Sequence, residues 1–313
     1  MIISASRRTD IPSFYAEWFM NRIQAGYCTV PNPFNTNQVS RVSLKPQDVD
    51  VIVFWTRNPK PLIPHLAELN DKGYRYYFQY TLVANSHQLD PKSPPLETAL
   101  KTFQELSNLI GPNKVIWRYD PIVFTNISDG RFHSEKFSRI AKALDGYTKR
   151  SVISIVDEYS KAQSRLKQLS KYGIELTHQN DYLKAEWFKD TIEIMSDTAR
   201  SHNMQIFSCA EEIELQAFGV KPGKCIDDEL IKEVFSLEVI HKKDSGERKA
   251  CGCVSSKDIG MYDSCLFGCQ YCYATRSFEK SKQNHQDHNP LSPSLIGWHD
   301  VQPKNDDEQL RLL

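Results

Sequence analysis

The residues with the clearest chemical potential are three cysteines in the nonapeptide 265–273. Cys265, Cys269 and Cys272 are spaced C-x3-C-x2-C, and an aromatic residue precedes the last of them. Such a short loop can fold three thiolates onto one metal centre, but it leaves no fourth ligand nearby. Iron–sulfur cubes are held by closely spaced cysteines, whereas structural zinc sites use four ligands. The spacing therefore favours a cube with one open iron, and half of a zinc knuckle or three free buried thiols remain the alternatives.

A second set of four cysteines, Cys209, Cys225, Cys251 and Cys253, lies earlier in the chain. The pair Cys251–Gly252–Cys253 cannot easily form its own unstrained disulfide, so metal ligation is the better account of it. Four thiolates would close a site completely, either as a second cube or as a structural zinc site. Cys209 could instead be a core residue at the end of a strand. The eighth cysteine, Cys28, stands alone, and we expect it to pack in the core.

Charged side chains follow the apolar runs along the chain. They are Arg7, Arg8, Asp10, Arg57, Arg118, Asp120, Asp157, Glu158, Glu211 and Glu212. Chemistry in β/α barrels sits at the carboxyl ends of the strands, so these groups would line one mouth. Candidate catalytic residues are Arg118, Asp120, Arg7 and Asp10, although Asp10 could equally cap a helix. Glu211 and Glu212 are candidate cofactor-binding residues.

Six apolar runs, each followed by apolar residues at helical spacing, must position these groups. They predict strands at 2–5, 51–55, 74–82, 114–117, 151–156 and 204–207, whereas the turn-rich stretch 31–35 predicts neither helix nor strand. Six β/α units in series imply a parallel sheet with right-handed crossovers. We expect an α/β fold, a (β/α)6 partial TIM-type barrel rather than an open doubly wound sheet. The expected division is a barrel-like core at 1–220, a Cys-rich segment at 221–280 and a polar tail at 281–313.

Composition narrows the classes of partner and compartment. Lys plus Arg and Asp plus Glu are 39 each among 313 residues, so no basic excess favours a nucleic-acid partner. No signal-type apolar segment opens the chain, and no run approaches the roughly 18 apolar residues of a membrane span. Eight cysteines in such a chain predict reduced thiols and metal binding in the cytoplasm.

The loop 265–273 resembles the cluster motif of radical S-adenosylmethionine (SAM) enzymes, and GCQYCYA at 268–274 is similar to the version in spore photoproduct lyase-like proteins. The whole chain also resembles the DUF1848 family, a bacterial group of unassigned function. The shared features are IISASRRTDIP at the start, WRYDP in the middle, FSCAEE, and the terminal CGC followed by CLFGCQYCYA.

The resemblance implies a [4Fe–4S] cluster on Cys265, Cys269 and Cys272, with SAM on its open iron and Tyr271 near the adenine. One electron from the cluster would cleave SAM to methionine and a 5′-deoxyadenosyl radical that abstracts hydrogen from substrate. It also implies an electron donor such as flavodoxin or ferredoxin and a substrate, a small molecule or a nucleotide, that remains unidentified.

The order of the cysteine loop and the predicted strands along the chain departs from the usual radical SAM layout. There the cluster loop follows the first barrel strand, whereas here it follows all six predicted strands. We therefore expect a circularly permuted core in which the C-terminal segment closes one side of the barrel. No glycine-rich strand of the kind that holds the SAM amino group is found. The alternative function is a non-catalytic iron–sulfur protein in electron transfer or regulation, or a structural zinc-binding protein.

Overall fold

The computed structural model describes residues 1–157, 159–211, 213–244, 248 and 250–301. The strands are Ile2–Ala5 (β1), Tyr27–Asn32 (β2), Asn35–Ser43 (β3), Val51–Thr56 (β4), Tyr76–Thr81 (β5), Val115–Ile122 (β6), Arg150–Ile155 (β7), Gln205–Cys209 (β8), Lys221–Gly223 (β9) and Lys257–Asp258 (β10). The helices are Ile11–Phe14 (α1), Ala16–Ala25 (α2), Leu66–Asp71 (α3), Leu96–Ile110 (α4), Gly130–Ala143 (α5), Ser160–Gln168 (α6), Gln179–Tyr182 (α7), Glu186–Ser201 (α8), Asp228–Phe235 (α9) and Phe278–Gln286 (α10).

Eight strands form one sheet in the order β10-β1-β4-β5-β6-β7-β8-β9, and each neighbouring pair is parallel. The α/β class, the parallel sheet and all six predicted strands are therefore confirmed. The fourth predicted strand is longer than expected. It continues from Trp117 through Arg118 and Asp120 to Ile122, so these two charged residues lie within β6 rather than after it.

The prediction that residues 31–35 form neither helix nor strand is wrong. β2 and β3 make an antiparallel hairpin, and Pro31, Asn32 and Asn35 belong to its strands. Proline is tolerated in an edge strand, where its missing N–H costs no ladder bond. The turn signals therefore mark only the hairpin tip, where Phe34 is exposed.

Alternating side chains give the main sheet two differently covered faces. On one, Ile52, Phe54 and Phe78 join the largest core cluster together with apolar residues of α2, α4, α5 and α8; we call this the helix face. On the other, Val51, Val53, Tyr77, Ile116 and Val152 pack with Cys225, Cys251, Cys253 and residues of α9; we call this the cysteine face. The crossover helices α2, α4, α5 and α8 therefore share one face, and cysteine-bearing segments cover the other.

The edge strand β10 is fixed beside β1 by one carboxylate. Asp258 accepts hydrogen bonds from Ser4 Oγ at 3.0 Å, Ser6 Oγ at 2.6 Å, the Arg7 amide at 2.8 Å and the Gly260 amide at 2.9 Å. A Cβ at Gly260 would lie 2.1 Å from Ser6 Oγ, so only glycine permits this approach. The chain leaving β10 is thereby brought to the carboxyl end of β1, and it leads directly into the loop that carries Cys265.

The segment after α10 packs back onto the start of the chain. Trp18 Nε1 donates to the Ser292 carbonyl at 2.9 Å, and Thr29 pairs with Ser294 in an isolated bridge. No described helix is long and apolar enough to cross a membrane.

Candidate metal centre

All seven cysteines of the two sets line one cavity of about 1640 Å³. Arg7, Asp10, Arg118, Asp120 and Tyr271 line it as well, so most of the predicted site residues meet there. Glu211 is different: its carboxylate accepts from the Ile155 amide at 2.8 Å and lines a second cavity of about 380 Å³. Burial raises the pKa of Glu211 to about 8. Glu212 and Glu158 lie outside the described residues.

The three-cysteine loop, residues 265–273, contacts a buried polar cluster through Tyr271. Tyr271 donates its hydroxyl to Asp90 at 2.6 and 2.8 Å, Arg57 donates to the same phenolic oxygen, and Asn85 Nδ2 lies 3.4 Å from it. The Arg57 guanidinium also lies 3.4 Å from Asp90. Burial raises the pKa of Tyr271 well above its ordinary value, which keeps the phenol protonated. The hydroxyl of Tyr271 is therefore committed to the protein, and its predicted contact with adenine stays a prediction that concerns the ring alone.

Arg165 of α6 fixes the backbone of the same loop. Its guanidinium donates to the carbonyls of Gln270 at 3.0 Å, Cys272 at 2.5 Å and Thr275 at 2.8 Å. Three carbonyls on one planar cation define the curvature of the chain around Cys272. Sequence reasoning missed Arg165, because nothing in the SKAQSRLKQ helix distinguishes this arginine from a solvated one.

Burial opposes ionisation of Cys265 and Cys269 in this loop. Burial raises the pKa of Cys265 to about 12, while backbone N–H groups of Phe267 and Asp10 act in the opposite direction. Burial likewise raises the pKa of Cys269, and the nearby Arg57 cation lowers it. No sulfur of the three hydrogen-bonds another within the described residues.

Arg118 and Asp120 form an ion pair in the cavity wall. The Arg118 guanidinium contacts Asp120, donates to Gln79 Oε1 at 3.2 Å and reaches Cys225 Sγ at 2.8 Å. Asp120 in turn accepts from the Ser154 hydroxyl. Burial acts to lower the pKa of Arg118, but Asp120 and Cys225 raise it well above its ordinary value, so the guanidinium is a permanent cation beside the cysteine.

Asp10 and Arg7 both contact neighbouring groups of the protein. Asp10 caps α1 by accepting from the Ser13 amide at 3.0 Å, and its other oxygen accepts from the Arg57 amide at 2.7 Å. Burial raises the pKa of Asp10 to about 6. The Arg7 guanidinium lies 5.7 Å from the ring centre of Trp55 and 3.8 Å from Asp244. A catalytic role for Asp10 or Arg7 stays a prediction.

Three buried polar atoms on residues that line the cavity have no partner among the described residues: Thr9 Oγ1, Trp55 Nε1 and Ser256 Oγ. Buried polar groups are nearly always hydrogen-bonded, so these three atoms are exceptions among the described residues. In the part of the chain that the structure describes, no group of three or more His, Cys, Asp or Glu side chains is placed to hold a metal ion as it stands. Metal binding at either cysteine set therefore stays a prediction.

The fold and the site together define an α/β protein with a parallel sheet that borders one large cavity lined by cysteine, arginine and aspartate. Comparison with known families assigns the chain more specifically. It belongs to the DUF1848 family, described as a domain of unknown function, whose model matches residues 2–274. Comparison with curated proteins and with solved structures finds no match.

Proposed function

We propose that this protein is a radical SAM-type enzyme with a [4Fe–4S] cluster on Cys265, Cys269 and Cys272. The observation that carries the proposal is the position of the three-cysteine loop in space. The loop leaves the edge strand β10, which pairs with β1 at the start of the parallel array β1-β4-β5-β6-β7-β8. In the sheet, the strand before the loop therefore comes first, although it comes last among the strands in sequence.

This order supports a circularly permuted radical SAM-like core. Four crossover helices share one face of the sheet, as in the wall of a (β/α) barrel, and α9 packs on the cysteine face. The loop Ser6–Asp10 at the end of β1 then neighbours the cluster loop, and Tyr273 donates its hydroxyl to the Arg7 carbonyl at 2.8 Å. We propose this loop, which lines the cavity beside the three-cysteine loop, as the part of the chain that contacts SAM.

Three cysteines supply the number of protein ligands of a cube with one open iron. Their sulfurs line an open cavity, and no histidine among the described residues lines it. Burial raises the pKa of Cys269, and the nearby Arg57 cation acts in the opposite direction and favours its thiolate. When bound, a reduced cube supplies one electron for reductive cleavage of SAM.

The rest of the chemistry falls to the chain's own residues. The Arg118–Asp120 pair, the Trp55 ring and the Arg7 guanidinium form a polar and aromatic wall in the same cavity, where a substrate would be oriented. A carrier that only transfers electrons needs no cavity of this size beside its cluster. The cavity therefore favours an enzyme over the non-catalytic alternative.

The test is SAM cleavage by protein that has been purified and reconstituted without oxygen. We expect the wild type, given SAM and dithionite, to form 5′-deoxyadenosine and methionine. Cys269→Ala should lose the iron–sulfur absorbance and reduce both products to background. Cys28→Ala, which removes a buried cysteine outside the cavity lining, is the matched control and should retain both. Product formation by Cys269→Ala at the wild-type rate would contradict the assignment.

A further inference from the structure

The second set of cysteines includes one close contact between sulfurs. Cys209 Sγ and Cys225 Sγ lie 3.0 Å apart, and Cys253 Sγ accepts a hydrogen bond from the Cys225 backbone amide at 3.3 Å. Cys251 stands two residues before Cys253, and all four cysteines line the same cavity. Among the described residues, no hydrogen bond joins two sulfurs of the three-cysteine loop.

A sulfur–sulfur contact this short suits a single ion better than a cube. Zinc–sulfur bonds of about 2.3 Å in a tetrahedron place neighbouring sulfurs about 3.8 Å apart. In a cube, irons and sulfides stand between the thiolates, so the ligand sulfurs lie much further apart. A contact of 3.0 Å needs to open by only about 0.8 Å to admit one tetrahedral ion.

We propose that Cys209, Cys225, Cys251 and Cys253 form a structural zinc site, separate from the iron–sulfur site of the proposed function. Zinc is the ion that closed, four-thiolate sites of this kind hold. Its ligands come from the end of β8, from the residues after β9 and from the pair that precedes β10. One ion would therefore join the end of β8, the residues after the edge strand β9 and the residues before the edge strand β10.

A glycine in β9 allows the close approach of β9 to β8 on which this site depends. A Cβ at Gly223 would lie 2.6 Å from the Ser208 carbonyl oxygen, so glycine is what lets β9 lie against β8 and bring Cys225 to Cys209. The Cys225 carbonyl is then fixed by Tyr77 at 2.8 Å and Gln79 at 2.7 Å, both on the sheet. The position of Cys225 is thus set before any ion binds.

Hydrogen bonds to the sulfurs suit thiolates. The Cys225 and Ile226 amides donate to Cys253 Sγ at 3.3 and 3.4 Å, and Arg118 donates to Cys225 Sγ at 2.8 Å. Four thiolates around a divalent ion carry a net charge of minus two, which is costly to bury without a cation nearby. Arg118 is that cation, and it links the zinc site to the Asp120 carboxylate in the cavity wall.

The experiment measures zinc and iron in protein made in medium that supplies both metals. Wild type should contain about one zinc per chain in addition to cluster iron. A triple variant, Cys265→Ala with Cys269→Ala and Cys272→Ala, should keep its zinc and lose its iron. The double variant Cys251→Ala with Cys253→Ala should lose its zinc. Cys28→Ala should change neither metal.

A second measurement does not depend on a variant of the site being folded. Cobalt(II) loaded into the triple variant in place of zinc should give thiolate-to-cobalt charge-transfer bands and the ligand-field bands of a tetrahedral tetrathiolate. Zinc-free wild-type protein, iron in place of zinc in the triple variant, or an octahedral cobalt spectrum would overturn the zinc site. Loss of iron alone from wild type would instead count against the proposed function and leave the zinc site standing.

Discussion

At the scale of single residues, Arg165 shows how the cysteine loop depends on a group that is not a ligand. Its guanidinium holds the loop by the carbonyls of residues 270, 272 and 275. Hydrogen bonds from a charged donor contribute about 1.5–3 kcal/mol each when buried, and less when half-exposed like this one. The curvature around Cys272 is therefore set by a side chain more than a hundred residues away in sequence.

We predict that Arg165→Gln lowers the free energy of unfolding by roughly 1–3 kcal/mol and lowers the iron retained after anaerobic desalting. The reason is that glutamine can reach at most one or two of the three carbonyls. Arg165→Lys should fall between glutamine and wild type, since it keeps the charge but not the planar fork. Arg131→Gln on the exposed face of α5 is the control. Iron retention in Arg165→Gln equal to that of the control would refute the positioning role.

The residue scale also shows where sequence reasoning stops. The spacing of Cys265, Cys269 and Cys272 was sufficient to predict that they lie in one site, and all three line the same cavity. The Arg57–Asp90–Tyr271 cluster was not predictable, because its members come from three distant segments that only the sheet order brings together. Asp10 was predicted as either a helix cap or a catalytic residue, and the structure confirms the cap.

At the scale of elements, the position of the three-cysteine loop depends on the strand β10. Only Lys257 and Asp258 form the strand, so almost all of its attachment to β1 comes from backbone pairing and from the Asp258 carboxylate. Neither residue is apolar, which is why no hydrophobic pattern predicted the strand. The same holds for Lys221–Gly223 of β9, whereas the apolar runs of β4, β5 and β7 were predicted because they are buried on both faces.

We predict that Asp258→Ala lowers the free energy of unfolding by roughly 2–4 kcal/mol, because four donors lose their shared acceptor. Denaturant titration of the metal-free protein measures this directly. Asp287→Ala is the matched control, because this exposed aspartate accepts hydrogen bonds from the Gln283 side chain of α10. A loss no greater than that of Asp287→Ala would mean that β10 is not attached in this way.

At the scale of the whole molecule, the helix face of the sheet contains a buried titratable group that links folding to pH. His133 of α5 is 1% exposed, its Nδ1 lies 2.9 Å from the Tyr119 hydroxyl and its Nε2 lies 3.1 Å from the Val123 carbonyl. Burial lowers the pKa of His133 to about 4 from 6.5. The unfolded chain then binds the proton more readily, so stability is full above pH 6.5 and falls as the pH drops towards 4.

From this difference we predict that His133 alone removes about 2 kcal/mol of unfolding free energy between pH 7 and pH 5. His133→Gln keeps a donor for the Val123 carbonyl but cannot titrate, so its stability should vary less with pH over this interval. His87→Gln, an exposed histidine, should follow the wild type. Parallel stability–pH curves for wild type and His133→Gln would show that His133 is not the linked group.

The architecture of the whole chain follows from one arrangement, in which the last strand in sequence is the first in space. This places the three-cysteine loop, the arginines Arg7, Arg57 and Arg118, and the four-cysteine set around a single cavity. The parallel sheet was predictable from repeated β/α units. The cavity was not, because it depends on how segments after residue 220 fold back over the cysteine face.

The most direct measurement is electron paramagnetic resonance of the reduced, anaerobic wild-type protein with and without SAM. A cube held by Cys265, Cys269 and Cys272 has one iron without a protein ligand, so SAM should bind that iron and change the signal of the reduced cluster. The account predicts a [4Fe–4S]⁺ signal that shifts on addition of SAM and that disappears in Cys269→Ala. A protein with no such signal, or with a signal that SAM leaves unchanged, would contradict it.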